Sequence, residues 1–340
     1  MPDTDELRVK RELLPCLREH WAIVCIMVAF VVLGMRYSLA IPLFEIPDEP
    51  RHYLVVEKLA YGRSLPISAA LRARWPLKDL SQPPLYHAVG ALLTRVVGQS
   101  PDDVVYEPNP HAVLGQPGVQ GNKNALLHMG DDVLPYHGLV LVVHVLRGYS
   151  VLCATLTVLL TYLIAEQVIG FQRRAVALAA AALVAFNPQF LFGSAGATNE
   201  GLGIALVTLV LYLALRVSGG KERSYRSAIT LGVGAGAAAL AHPMGLLALL
   251  LVPCAYACAA LQDRSLWRAR LRPALIAMGI ALAISGWWYL SHASALSAHA
   301  GGVGLAFALQ QAFRSYWGLF GWGNVPAGEL FYAGVGIISI

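Results

Sequence analysis

The chain has 340 residues, 57% of them hydrophobic and only 13% charged, with 25 Lys and Arg against 20 Asp and Glu for a net charge of +5. Soluble domains carry roughly 25% charged residues, so this composition excludes an ordinary globular enzyme and calls for an all-α, polytopic membrane protein. The basic excess falls mostly in short loops, where it reports topology and contact with anionic membrane lipids and gives no support for a nucleic-acid partner. Cys16, Cys25, Cys153, Cys254 and Cys258 lie in the N-terminal tail or in apolar runs, with no disulfide framework and no zinc spacing.

Residues 1–20 form a tail carrying Arg8, Lys10, Arg11 and Arg18 ahead of the apolar run Trp21 to Met35. The positive-inside bias predicts a cytoplasmic tail and a first span over 21–40. Ser38-Leu39-Ala40 has the form of a signal-peptide cleavage site, but the run approaches a full span and its basic flank is that of an anchor, so retention is expected.

Residues 41–137 then form a large outer loop. It opens with Glu45-Ile46-Pro47-Asp48-Glu49-Pro50-Arg51-His52-Tyr53, two adjacent carboxylates just beyond the membrane. Such a pair can accept protons, hold a divalent cation or orient a polar substrate. It can equally be a helix cap and first-turn acid for a helix that begins at Pro50, shows Leu54, Val55, Leu59 and Ala60 on one face and stops at Gly62. Ser81-Gln82-Pro83-Pro84-Leu85-Tyr86-His87 introduces a second interfacial helix over Ala88 to Val97. From Gly98 to His137 the composition predicts loop, with Asn109, Asn122, Lys123, Asn124 and His128 as polar landmarks.

Further apolar stretches centre on 138–165, 175–193, 201–217, 227–241, 244–261 and 273–290, which predicts a helix bundle of about six spans over 138–290. Basic clusters at Arg173 and Arg174, at Arg216, Lys221, Arg223 and Arg226, and at Arg264, Arg268, Arg270 and Arg272 alternate with junctions that lack Lys and Arg, at 196–200 and 241–243. This alternation makes a consistent seven-span topology with 41–137 outside. Arg147 and Glu166, near the two ends of one span, are expected to reach the interfaces. Residues 291–340 read as an outer loop followed, from Phe331 to Ile340, by the start of a truncated eighth span.

Taken in order along one membrane face, Pro47-Asp48-Glu49, Gln82-Pro83-Pro84-Leu85-Tyr86, Phe186-Asn187-Pro188-Gln189, Asn199-Glu200 and Ser315-Tyr316-Trp317-Gly318 resemble the GT-C superfamily of integral-membrane glycosyltransferases. That group includes the protein O-mannosyltransferases and the lipid A aminoarabinose transferases. The insert with Asn122-Lys123-Asn124 and His128 is more similar to an uncharacterised bacterial membrane-protein family related to them.

The resemblance implies a GT-C-like helix bundle in a bacterial cytoplasmic (inner) membrane. It implies transfer of a sugar from a polyprenyl-phosphate donor to a glycan, lipid or protein acceptor on the outer face, with inversion. Asp48 would be the general base, and Glu49 would orient the acceptor, help bind a metal or cap the helix. His52, Gln82, Tyr86, Lys123, Asn199, Glu200, Arg314 and Trp317 would contact substrate.

All but Lys123 have a plainer alternative: a surface histidine for His52, a stiff Pro-Pro helix entry for Gln82 and Tyr86, and a cap for Asn199 and Glu200. An interfacial aromatic belt with a snorkelling arginine serves for Arg314, Tyr316, Trp317 and Trp322, and a turn for His242-Pro243. No metal site is assigned and no cofactor is required, although Asp48 with Glu49 or Glu200 could hold Mg or Mn. There is no nucleotide-binding Gly loop, no His-x-x-x-His pair and no serine nucleophile elbow. The rival classes are a transporter or flippase of lipid-linked saccharide, which would carry midplane charges and related halves, and a structural subunit that presents the outer loop to partners.

Overall fold

The computed structural model describes residues 4–62, 82–98, 107–116, 119, 121–128, 134–170, 173–219, 224–263, 267–292 and 312–338. Ser81, Lys221, Arg223, Arg264 and the segment 293–311, all named above, lie outside them.

Helix α1 (Thr4–Ala40) is interrupted by non-helical geometry at His20, which separates the tail from the apolar span His20–Ala40. Two shorter helices follow, α2 (Glu49–Tyr61) and α3 (Pro84–Val97), each ended by a left-handed glycine, Gly62 and Gly98. Their early prolines suit a first turn whose amides have no partner to lose. Buried positions on α2 are Glu49, His52, Tyr53, Val56, Glu57 and Ala60, whereas Leu59 is about half exposed. The buried face is thus rotated away from the predicted apolar one, because it is chosen by polar partners as well as by hydrocarbon.

The expected loop beyond Gly98 contains a small antiparallel pair, β1 (Glu107–Pro108) and β2 (Leu126–Leu127). The bundle proper begins with α4 (Gly138–Ile169), whose 32 residues span about 48 Å, well beyond a hydrocarbon core of roughly 30 Å. The apolar stretch predicted over 175–193 is broken into α5 (Arg174–Ala185) and α6 (Pro188–Ser194), bent by 60°. Pro188 cannot continue the preceding helix, and the Asn187 side chain accepts from Gln189 N (2.9 Å) and Phe190 N (3.1 Å) to start a new one.

Next come α7 (Glu200–Ser218), α8 (Tyr225–Ala241), a 3₁₀ turn at Pro243–Gly245, α9 (Leu246–Gln262) and α10 (Trp267–Ser291). Among the described residues five helices are long and apolar enough to cross a membrane, or six with the bent α5–α6 pair counted as one span. The 17 residues of α8, one of the seven predicted spans, are not among them. A second two-stranded pair, β3 (Leu319–Phe320) and β4 (Val325–Pro326), precedes α11 (Glu329–Ile338), where the predicted run from Phe331 begins.

Among the described residues, three large apolar clusters and a small one of Ile46, Phe192 and Ala195 make up the interior. One joins α1, α4, α5 and α6; a second, rich in alanine, joins α7, α8, α9 and α10. The third lies under the outer elements, bringing Leu43, Phe44, Tyr53, Val56, Ala91 and Leu126 onto Leu139, Val143 and Leu146 of α4. It fixes the loop after α1 to the end of the bundle.

Candidate active site

That loop is clasped by Arg147, which is wholly buried. Its Nε and Nη2 donate to the two oxygens of Glu49, each at 2.7 Å; Nη1 donates to the carbonyls of Ser38 and Ile41, each at 2.7 Å, and Nη2 to that of Pro42 at 3.0 Å. Glu49 also accepts from Phe44 N and Ala197 N, each at 2.9 Å. A carboxylate has about four acceptor sites, and all four are used. Two expectations change here. Arg147, expected to reach an interface, is instead enclosed by protein at the end of the first span, where a guanidinium that satisfies one carboxylate and three carbonyls is already fully solvated. Glu49, expected to act on substrate or metal, has neither oxygen to offer and instead positions the loop. Glu166 is likewise buried, bonded by Tyr162 and, at 3.4 Å, by Arg174.

The clasped loop holds two non-glycine residues in the left-handed region, Phe44 (φ 64°) and Asp48 (φ 62°). This conformation is costly for a bulky residue and persists only where the surroundings over-determine it. Phe44 meets that condition: its N–H is bound by Glu49, its carbonyl accepts from Trp322 Nε1 (3.3 Å), and its ring packs on Tyr53. Asp48 occupies the N-cap position of α2 but makes no capping hydrogen bond. Its side chain is half exposed and pairs with Arg51 at 3.1 Å. The capping alternative for Asp48 is therefore not the arrangement observed.

Asp48 lies within electrostatic reach of Glu200, the first residue of α7. Beside it, Asn199 is buried and makes no cap; its Nδ2 donates to the Ala241 carbonyl (2.9 Å) and reaches Gln82 Oε1 (3.4 Å). Glu200 opens onto a cavity of about 420 Å³ whose wall includes Gln189, Phe190, Ser194, Ile204, Ser315 and Tyr316. Gln189 Oε1 accepts from Leu319 N (2.9 Å) and Asn187 Nδ2 donates to the Tyr316 carbonyl (3.1 Å), so the segment after residue 312 is tied to the cavity rim.

The other predicted residues are distributed as follows. His52 is buried, not a surface residue, and its Nδ1 lies 2.9 Å from His87 Nε2. Since His87 Nδ1 sits 3.0 Å from the Pro83 carbonyl, it carries the proton there, and its Nε2 accepts from His52 Nδ1–H. Burial holds both imidazoles neutral: His87 is lowered to about 4, and His52 well below its usual value, with His87, His242 and Arg51 adding to the effect. Tyr86 is fully buried, 3.2 Å from the Ser150 hydroxyl and stacked on Tyr149, and so supports α3 rather than facing a ligand. His242 caps the 3₁₀ turn through Met244 N (3.1 Å). Lys123 turns its ammonium onto the Val119 carbonyl. The Arg314 guanidinium lies 5.5 Å over the Tyr332 ring, and Trp317 stands edge-on to Tyr316. Neither side chain lines the cavity, although their neighbours Ser315 and Tyr316 do.

Among the described residues no group of three or more His, Cys, Asp or Glu could hold a metal ion. Glu49 is spent on Arg147, which leaves Asp48 and Glu200 as the acids of the cavity region. A residue that sequence reasoning missed altogether is Glu45, whose carboxylate accepts from Ala125 N (2.7 Å), Leu126 N (3.0 Å) and His128 Nε2 (2.9 Å).

The described residues thus form a polytopic helical bundle with a strapped, acidic first loop at the head of a later span. Residues 142–289, less than half of the chain, match the family model described as dolichyl-phosphate-mannose-protein mannosyltransferase. That segment contains Arg147, Asn199 and Glu200 but not Asp48. The fold is similar to the structure of the S. cerevisiae protein O-mannosyltransferase Pmt1–Pmt2 complex bound to the sugar donor, with a TM-score of 0.52 and 17% identity over 81% of this chain and 34% of that chain. The chain thus spans about a third of the length of the yeast chain it matches. No curated protein matches it by sequence.

Proposed function

We propose that the protein is a membrane glycosyltransferase that moves a sugar from a polyprenyl-phosphate donor to an acceptor at the outer face of a bacterial cytoplasmic membrane, with the N-terminus in the cytoplasm. The observation that carries this reading is the presentation of Asp48. A half-exposed carboxylate is held in a left-handed conformation by the Glu49–Arg147 clasp, close to Glu200 and its cavity. Backbone strain retained beside a cavity is a mark of a functional site.

In the proposed reaction the acceptor hydroxyl gives its proton to Asp48 while its oxygen attacks the anomeric carbon. The bond from that carbon to the phosphate oxygen breaks, and the polyprenyl phosphate leaves from the opposite face, so the configuration inverts. Glu200, Gln189 and Tyr316 supply polar contacts suited to a sugar, and Phe190 and Ile204 an apolar wall. Gln82 acts through Asn199, and Arg314 is the cation nearest this wall in sequence. No step requires a divalent ion, and Mg or Mn would have only Asp48 and Glu200 as acid ligands.

Asp48→Asn keeps the shape of the side chain but cannot take a proton, so transfer should fall by roughly a hundredfold or more while insertion and folding persist. The assay supplies labelled donor on the outer side only and follows label into acceptor. Near-normal transfer by the variant would remove Asp48 from the reaction. Movement of uncleaved donor across the membrane without any product would replace the transferase with a flippase.

A further inference from the structure

We infer that Glu45 is a positioning residue, which couples the outer hairpin to the loop presenting Asp48; this rests on the reading of Asp48 as the proton acceptor. Glu45 is buried, and both its oxygens are engaged by the hairpin alone, through Ala125 N, Leu126 N and His128 Nε2. Hydrogen bonds to an ionised acceptor are short and directional, so three of them fix the carboxylate in orientation as well as in place.

Only Ile46 and Pro47 separate Glu45 from Asp48, and neither provides slack. Ile46 is buried against Phe192 and Ala195, and the ring of Pro47 fixes its own φ. A displacement of the hairpin therefore passes to Asp48. The same hairpin is bound to the segment that lines the cavity rim: Asn324 Nδ2 donates to the Lys123 carbonyl (3.0 Å), Gly115 N to the Trp322 carbonyl (2.9 Å), and Trp322 Nε1 to Phe44 O. A closed ring of contacts thus runs from Phe44 through Trp322 and the insert back to Glu45. Arg147 holds the loop from the bundle side, and Glu45 holds it from the outer side.

The test uses the full chain in lipid nanodiscs and two substitutions. In Glu45→Gln the amide nitrogen faces one of three donors, so at least one bond is lost; His128→Gln keeps a neutral donor of similar reach. Hydrogen exchange should quicken in Glu45→Gln across 44–49 as well as 121–128, with 138–169 unchanged. Turnover should fall by about ten- to a hundredfold, the scale for a misplaced reacting group, with donor KM nearly unchanged, and His128→Gln should keep most of the activity. Faster exchange confined to 121–128 would reduce Glu45 to a fastening for the hairpin and overturn the inference, whatever the activity. Wild-type turnover by Glu45→Gln would overturn it too, while leaving Asp48 as the base. Absence of transfer by the wild-type protein would remove the base reading instead, and the exchange pattern would still decide the coupling.

Discussion

The outer cap and the alanine-rich helices α8–α10 are built on opposite principles. In the cap, charged and polar side chains are buried in numbers: Glu45, Glu49, His52, His87, Asn109 and Arg147. Between the helices, the buried contacts are Ala228, Leu231, Ala235, Ala238, Ala277 and Ala281, with glycines admitting backbone to backbone. Apolar surface is as comfortable in lipid as inside a bundle, so spans associate through close approach of small residues. That approach sets distance but gives little direction. Directed hydrogen bonds from charged groups give both, and they are concentrated around the loop that carries Asp48.

The two regions part most sharply at Arg147. Arg147→Ala leaves the Glu49 charge buried and unpaired, which should cost about 3–5 kcal/mol. Arg147→Met with Glu49→Leu should recover much of that stability, since a buried pair is often no better than well-packed hydrocarbon. It should not recover transfer, because the carbonyls of Ser38, Ile41 and Pro42 lose their donor and the loop its shape. Thermal unfolding in detergent beside the transfer assay separates the two; a double variant as active as wild type would show that the clasp contributes stability alone.

A smaller loss is expected among the alanine-rich helices, and it should be steric. A Cβ on Gly245 would lie 1.9 Å from the Ala238 carbonyl oxygen, and one on Gly232 2.4 Å from that of Ala277. Overpacking of this kind costs about 1–3 kcal/mol, so Gly232→Val and Gly245→Val should each lower the unfolding temperature while surviving protein keeps its donor affinity. Unchanged stability in both would mean that the helices sit more loosely than these approaches indicate.

The His52–His87 pair lets pH separate the regions. Both imidazoles are neutral when folded, and unfolded histidine titrates near 6.5, so on acidification the unfolded chain binds protons first. The contribution is therefore intact above about pH 6.5 and is lost as the pH falls through the lowered values of the two imidazoles, about 4 for His87. Hydrogen exchange should rise over 49–61 and 84–97 in that window while α8 and α10 stay protected, and His87→Gln should flatten the response. Equal acid sensitivity in both regions would locate the titration elsewhere.

The two regions also differ in how well sequence reveals them. Five of the seven predicted spans and the two helices of the first loop were legible, because apolar length and Gly or Pro punctuation are local signals. The split at Asn187-Pro188 was visible as a motif but not as a bend, since hydropathy runs straight through it. In the site, Asp48 and Glu200 stood out by their position at the membrane surface. That Glu49 is consumed by Arg147 was not legible, although an arginine within an apolar run should itself prompt a search for a buried partner. Glu45 left no signal at all: its partners are mostly backbone amides, 80 and 81 residues away.

The smallest effect expected is the most telling about Asp48. Its φ of 62° lies in a region that glycine adopts freely and that other residues occupy at a cost, though aspartate tolerates it better than most. Its ion pair with Arg51 is solvent-exposed and contributes little to stability. Asp48→Gly should therefore leave the unfolding free energy unchanged or raise it by up to about 1 kcal/mol, whereas Asp48→Val, β-branched and forced left-handed, should lower it by about 1–2 kcal/mol. Transfer should be abolished in both. A residue whose removal costs the fold nothing and the reaction everything is kept for chemistry. If Asp48→Gly instead unfolds as readily as Asp48→Val, the carboxylate is part of the cap's own scaffold, and the distinction between a clasp that positions and an acid that reacts collapses.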